Sequence, residues 1–285
     1  MQNALNYKYF YGTIKENKTA SEERNMKMHF LGTCSGTEPM QDMHHQSWIL
    51  EVNGLNYWFD AGENCTHRAY TSGINLMNTV ALFVSHPHVD HVGGLANLFA
   101  CINKLISRYK FQFIRNNTLE IFFPDMKLLE AIKYIAFSGR TVRFRHTLNE
   151  HPLKDGLLFE DENVRVTALH NNHLVGTEEE GWLAFSFLIE TEGKRVVFSG
   201  DVRSSEELLP LIGDGCDVLI METGHHDVTQ VMEFAVNHNI KNLRLTHHGR
   251  QILENRDYYE SLAASYTGKT ATSIALCYDG KVEEF

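Results

Sequence analysis

His86-Pro87-His88-Val89-Asp90-His91 is the stretch on which the fold of this 285-residue chain is read. Four of its six residues are metal-ligand types. An apolar run at residues 80–84 precedes it, and the pair Gly93-Gly94 follows and opens an amphipathic stretch. The order reads as strand, ligand loop, helix. Imidazoles and a carboxylate packed this densely suit a borderline divalent cation such as zinc. Three histidines and an aspartate are costly to bury together without a partner, and a metal is the obvious one. More residues of ligand type stand downstream, each at the end of a predicted strand.

Working outward, residues 28–33 read as a strand ending in a Gly turn. Residues 47–52 and 55–59 alternate around Asn53-Gly54, a two-residue hairpin signal. Residues 80–85 have the continuous apolar character of a buried central strand. Leu95, Leu98, Phe99, Ile102, Leu105 and Ile106 fall at helical spacing, and residues 126–137 repeat the pattern. Further strands are expected at 142–146, 164–170, 183–190, 195–199, 217–221, 242–246 and 270–277. Thr191-Glu192-Gly193 supplies one hairpin turn. A helix is expected around Val228, Val231, Met232 and Ala235, with Asp227 and Gln230 as a capping box, and another over 258–265. Strands come first as hairpins and later alternate with helices. This is a mixed α/β (α+β) pattern, with two sheets and helices outside. Residues 1–27 read as an N-terminal extension and 28–285 as one domain.

Composition is ordinary for a globular protein, at 43% apolar and 22% charged residues. No apolar run reaches the ~20 residues of a membrane span, so no membrane association is expected. Five scattered cysteines, an odd number, suggest reduced thiols and a cytoplasmic location. The net charge of −10 argues against broad polyanion binding. Residues 104–145 nevertheless carry a local +6, which leaves −16 for the rest. One reading is a basic face that attracts a small anionic substrate; the other is a solvated surface with spread charge. The aromatic cluster Tyr7, Tyr9, Phe10 and Tyr11 suits an arm docked on a second copy, giving a homodimer, or a loosely ordered terminus.

His-x-His-x-Asp-His after an apolar strand resembles the signature of the metallo-β-lactamase superfamily of hydrolases. That resemblance implies a four-layer αββα sandwich and a two-metal site with ligands at strand ends. Residues 166–173 are similar to the family's strand-then-His element, with His173 ahead of His170. Phe198-Ser199-Gly200-Asp201 resembles its Gly-Asp element. Leu245-Thr246-His247-His248-Gly249 resembles its last, with His247 ahead of His248. The resemblance implies that His86, His88 and His173 hold one ion, and that Asp90, His91 and His247 hold the other. Asp201 and a hydroxide would bridge them. The ions would be Zn2+, with Mn2+ or Fe as alternatives. Asp90 would also orient the nucleophile. Glu63 and Glu222 are candidates to support ligand imidazoles from outside. His225 leads as proton donor to the leaving group, with His226 and His248 as alternatives.

Within the superfamily the chain resembles the ribonuclease Z and phosphodiesterase branch. The carriers are Leu31-Gly32-Thr33-Cys34-Ser35-Gly36-Thr37-Glu38-Pro39 and Phe59-Asp60-Ala61-Gly62-Glu63-Asn64. Only 27 residues separate His173 from Asp201, strands fill most of them, and the branch's His-Ser-Thr segment is absent. These departures count against tRNA as substrate. The expected function is therefore a di-metal phosphodiesterase acting on a small or nucleotide-derived ester. A lactone or thioester hydrolase is the alternative, and a non-catalytic sensor comes third.

Overall fold

The computed structural model describes residues 26–38, 40–109, 117–138, 144–176 and 181–284. The aromatic cluster at residues 7–11, with the dimer expectation built on it, lies outside these residues. The first sheet is built from β1 (Met26–Gly32), β2 (Ser47–Val52), β3 (Leu55–Phe59), β4 (Thr79–Phe83), β5 (Thr118–Phe123), β6 (Thr147–Pro152) and β14 (Val282–Glu284). The second holds β7 (Gly156–Glu160), β8 (Val164–His170), β9 (Phe185–Thr191), β10 (Lys194–Phe198), β11 (Cys216–Glu222), β12 (Ile240–Thr246) and β13 (Ser273–Leu276).

The two sheets share a plan. The first runs β14-β1-β2-β3-β4-β5-β6, antiparallel as far as β3 and parallel beyond it. The second runs β13-β12-β11-β10-β9-β8-β7, antiparallel from β7 to β10 and parallel beyond. The Asn53-Gly54 hairpin forms as read, with φ of 51° and 75° at its two central residues.

Three cores make the layers. Between the sheets, Phe30, Trp48, Phe59, Phe83 and Phe122 stack from strand to strand, with centroids 6.4, 4.5, 5.1 and 4.9 Å apart. Phe187 and Phe198 of the second sheet meet this ladder edge-on at Phe59. Such pairs contribute ~0.5–1.5 kcal/mol each beyond the area they bury. On the outer face of the first sheet, Leu95, Leu98, Phe99 and Ile102 of the Leu95–Tyr109 helix and Leu129 and Ile132 of the Met126–Ala136 helix pack on Ile49, Trp58 and Leu82. On the outer face of the second, Val228, Val231, Met232 and Ala235 of the Val228–Asn237 helix pack with Leu219, Met221, Leu243 and Leu245. This is the expected αββα sandwich.

Local readings needed correction. Residues 144–146 of the strand expected at 142–146 are not strand, residues 142–143 lie outside the described set, and β6 begins only at Thr147. β5, β7, β14 and the Cys65–Thr71 helix are among the elements not anticipated. At the Val228–Asn237 helix, Asp227 does accept from Gln230 N at 3.0 Å. No helix among the described residues is long and apolar enough to cross a membrane.

Candidate metal centre

The ligand-type residues converge where the strands of both sheets end. His86, His88, Asp90 and His91 follow β4, and Asp90 and His91 sit on the one-turn helix Val89–Val92. His173 follows β8, Asp201 follows β10, and His247 follows β12. Gly200 precedes Asp201 with φ +55°, and a β-carbon there would lie 2.8 Å from Ser85 Cβ. Glycine therefore lets the chain turn Asp201 into the centre against β4's extension. His247 itself has φ +49°, an uncommon conformation for a non-glycine residue, of the kind found at functional sites.

The side chains form two adjoining groups. Nε2 of His86 lies 3.0 Å from Nδ1 of His88, and Nε2 of His173 lies 3.2 Å from the same atom. Nε2 of His91 and Nε2 of His247 are 3.2 Å apart, and Asp90 Oδ2 is 3.1 Å from the latter. Asp201 stands between the groups. Its Oδ2 is 3.6 Å from His86 and 3.7 Å from His173; its Oδ1 is 3.4 Å from both His91 and His247. Donor atoms of His86, His88, His173 and Asp201 fall within 4.8 Å of one another, as do those of Asp90, His91 and His247. All seven residues read from the sequence are thus brought together.

The electrostatics suit cations. Burial pushes the His86 imidazole well below its ordinary pKa, and His88 and His173 below theirs, leaving neutral rings with free lone pairs. In the other group burial also works against charge, but Asp201 and Asp60 overcome it at His91 and raise its pKa well above the ordinary value. Asp201 with Asp90 and Glu222 does the same at His247, raising it to about 9. Burial would raise Asp90 and Asp201, yet the imidazolium neighbours hold both below the usual carboxylate range. The carboxylates thus call for positive charge at this point, which a bound divalent ion would supply. Asp201 Oδ1 and His247 Nδ1 are also buried with no hydrogen-bond partner. Two orphaned buried atoms, within a ligand set that converges from four strand ends, fit a metal centre.

Support comes from residues around the ligands. Asp60, which follows β3 with φ +58°, holds His91 Nδ1 at 2.7 Å and accepts from Ser85 N at 2.7 Å and Ser85 Oγ at 2.9 Å. Sequence reasoning missed Asp60 and looked to Glu63, which instead lies 3.5 Å from His44 and is half exposed. Glu222 is buried among three imidazoles, with oxygens 3.0 Å from His225, 3.1 Å from His226 and 3.7 Å from His247. Its hydrogen bond raises the His225 pKa. His225 lines the cleft with a 45% exposed side chain, its Nδ1 3.7 Å from Asp201.

His248, an expected alternative donor, is corrected. Its ring is buried with Nδ1 3.2 Å from Thr223 Oγ1 and Nε2 2.9 Å from the Cys277 carbonyl, so it braces the fold. His226 turns towards the Val202 carbonyl. The cleft, about 360 Å³, is lined by Ser35, Gly36, Thr37, His88, Val89, Asp90, Asp201, Gly224, His225 and His247. No Lys or Arg is among these lining residues.

The fold and the gathered ligand-type residues are those of a metal-dependent hydrolase of the metallo-β-lactamase fold, and the curated relatives it resembles are ribonuclease Z enzymes. Residues 26–261 match the family described as Anti-Pycsar protein Apyc1, and the chain belongs to that family. It is 32% identical over 153 residues to ribonuclease Z of Shouchella clausii, a match covering 53% of this chain and 46% of that enzyme. That span is less than half the length of that relative. Ribonuclease Z of Methanothermobacter thermautotrophicus is 25% identical over 283 residues, covering 78% of this chain and 86% of that one. Among solved structures, the metallo-β-lactamase fold protein YhfI of Bacillus subtilis superposes with TM-score 0.67 at 17% identity, covering 92% of this chain and 100% of the other. The short form of human tRNase Z does so with TM-score 0.64 at 20% identity, covering 90% and 98%.

Proposed function

We propose that the protein is a di-metal phosphodiesterase acting on a small, nucleotide-derived phosphodiester. The carrying observation is Asp201, buried between two complete ligand groups and within 3.7 Å of His86, His91, His173 and His247. His86, His88 and His173 would hold one ion, Asp90, His91 and His247 the other, with Asp201 shared. Bound divalent ions supply Lewis-acid polarisation of a phosphoryl oxygen and a lowered pKa for water. Zinc is the first choice for imidazole-rich ligands, with manganese or iron as alternatives.

The chain's own residues supply the rest. Asp90 lines the cleft beside His247 and can accept a hydrogen bond from the attacking group. Asp60 and Glu222 fix the ligand rings from outside. His225, whose pKa the Glu222 hydrogen bond raises, stands at the cleft surface where it can give a proton to the departing oxygen. The small-substrate reading rests on the modest cleft, on the absence of Lys and Arg among its described lining residues, and on β9 and β10 occupying the interval where a tRNA-binding arm would stand. Residues 28–285 act as one domain on this reading. A cytoplasmic location is supported by five cysteines that form no disulfide.

The test is hydrolysis of an aryl phosphodiester, of cyclic nucleotides and of a tRNA precursor by metal-reconstituted protein, with Asp201→Ala as blank. Wild-type turnover of the small esters is expected. Turnover of lactones or thioesters alone, or stoichiometric ligand binding without turnover, would overturn the proposal.

A further inference from the structure

One side of the cleft is a short segment that neither sheet holds by regular pairing. Ser35, Gly36 and Thr37 line the cleft, and Gly36 is so close to Asp90 that a β-carbon there would lie 2.9 Å from its Oδ2. The same stretch touches the backbone beside a second ligand. Thr33 O accepts from His248 N at 2.7 Å, and Ser35 N and Oγ both donate to His248 O, at 3.2 and 2.9 Å. The wall is thus set against Asp90 on one side and the residue after His247 on the other.

A single carboxylate from the far end of the chain closes this segment. Asp279, between β13 and β14, accepts at Oδ1 from Thr33 N at 2.9 Å and from Thr33 Oγ1 at 2.8 Å. Its Oδ2 accepts from His44 N at 2.7 Å. Cys34 N donates to His44 O at 2.9 Å, so the two ends lie side by side under Asp279. All three bonds to the carboxylate are short, charge-assisted and made to one residue at each end of the segment. Asp279 is itself held by the turn it stands on, since Gly280 N donates to Phe30 O and Phe30 N to Lys281 O, at 2.8 and 2.9 Å.

We propose that Asp279 is a positioning residue of this site, fixing the wall Ser35-Gly36-Thr37 over Asp90 and His247 while touching neither. The proposal rests on the reading of this cleft as the place where substrate binds. Its content is that order in the wall is supplied in advance by Asp279 rather than drawn from substrate binding. The ligands and His225 stand on other elements, so loosening the wall weakens binding of substrate and leaves the metals and the chemical step in place.

Asp279→Asn is the discriminating variant. The amide keeps one oxygen for one end of the segment and turns an NH2 donor towards the donor at the other end. Asp279→Ala removes both ends, and Thr33→Val deletes the Oγ1 donor without changing charge. Four readouts are taken on the full chain: metal stoichiometry, affinity of the metal-loaded protein for inorganic phosphate, hydrogen exchange of the His44 amide, and KM against kcat on a small phosphodiester. For Asp279→Asn we expect full metal content, faster His44 exchange, phosphate affinity and KM each weakened ~10-fold, and kcat within ~3-fold of wild type. Asp279→Ala should exceed this and Thr33→Val fall short of it. Unchanged phosphate affinity and KM in a folded Asp279→Asn protein would overturn the proposal, as would loss of bound metal in that variant. If both Asp279 variants fail to fold, unchanged phosphate affinity in Thr33→Val overturns it. A wild type that cleaves no phosphodiester would sink the proposed function alone, because exchange and phosphate binding still judge Asp279.

Discussion

Asp60 Oδ2 lies 2.7 Å from His91 Nδ1, and both side chains are fully buried. The contact sets the tautomer and orientation of the ring, leaving Nε2 to face Asp90, Asp201 and His247. A carboxylate behind a ligand imidazole also raises its basicity. In the shared plan of the two sheets, Asp60 follows β3 as Asp201 follows β10; one supports the centre and the other enters it.

Asp60→Asn keeps the shape and removes the charge. It should weaken metal affinity by about 10–100-fold, the usual cost of losing such a partner. Titration of chelator-stripped protein with zinc, followed calorimetrically, measures this; affinity equal to wild type would remove Asp60 from the centre.

Asp201→Ala deletes the group common to both ligand sets. At least one equivalent of metal and nearly all hydrolysis should be lost. Metal analysis after dialysis checks the first and turnover the second. A variant retaining two ions and full rate would show that the bridge lies elsewhere.

His225→Ala should lower kcat by about 10²–10⁴-fold on esters with poor leaving groups, and by less on an aryl ester. Glu222 raises the His225 pKa, so the protonated form persists to higher pH and is lost as pH rises through that raised value. Removing the charge with Glu222→Gln should move the alkaline limb of the pH–rate profile to lower pH. An unmoved limb would separate His225 from proton transfer.

His146 is buried beside Phe144, and burial holds its pKa down to about 4. In the unfolded chain it titrates near 6.5. Between these values the unfolded state binds the extra proton. The stability tied to the neutral ring is therefore complete above about pH 6.5 and is lost as pH falls towards 4. At ~1.4 kcal/mol per pH unit the full effect approaches ~3 kcal/mol. Urea unfolding of chelated wild type and His146→Leu should diverge across this window; parallel curves would refute it.

Much of the centre could be read from the chain because its ligands sit in dense local motifs. His86 to His91 lie within one loop and helix turn, and Asp201 follows Phe198-Ser199-Gly200. What could not be read depends on backbone angles that no periodicity carries. Asp60 was passed over for Glu63 because the positive φ at Asp60 swings its carboxylate beneath β4's extension. Likewise the positive φ of His247 sends its ring into the centre and that of His248 into the interior, so adjacent histidines take opposite roles. β6, β7 and β14, outer strands of their sheets, were not read from the sequence, nor was the interior strand β5. β6 reads Thr-Leu-Asn-Glu-His-Pro, with neither the continuous apolar run of a strand covered on both faces nor the alternation of one covered on a single face.

The centre gathers residues that are far apart along the chain. His88 meets His173 across 85 positions, and His91 meets His247 across 156. Contacts of such separation form late, after the entropy of closing long loops has been overcome. A chain that has paired only β1 to β6 holds His86, His88, Asp90 and His91, but has not yet brought in Asp201 or His247 to close either ligand set. Tight ion capture is therefore among the last events of folding, and ion release should be an early sign that the two sheets have begun to part.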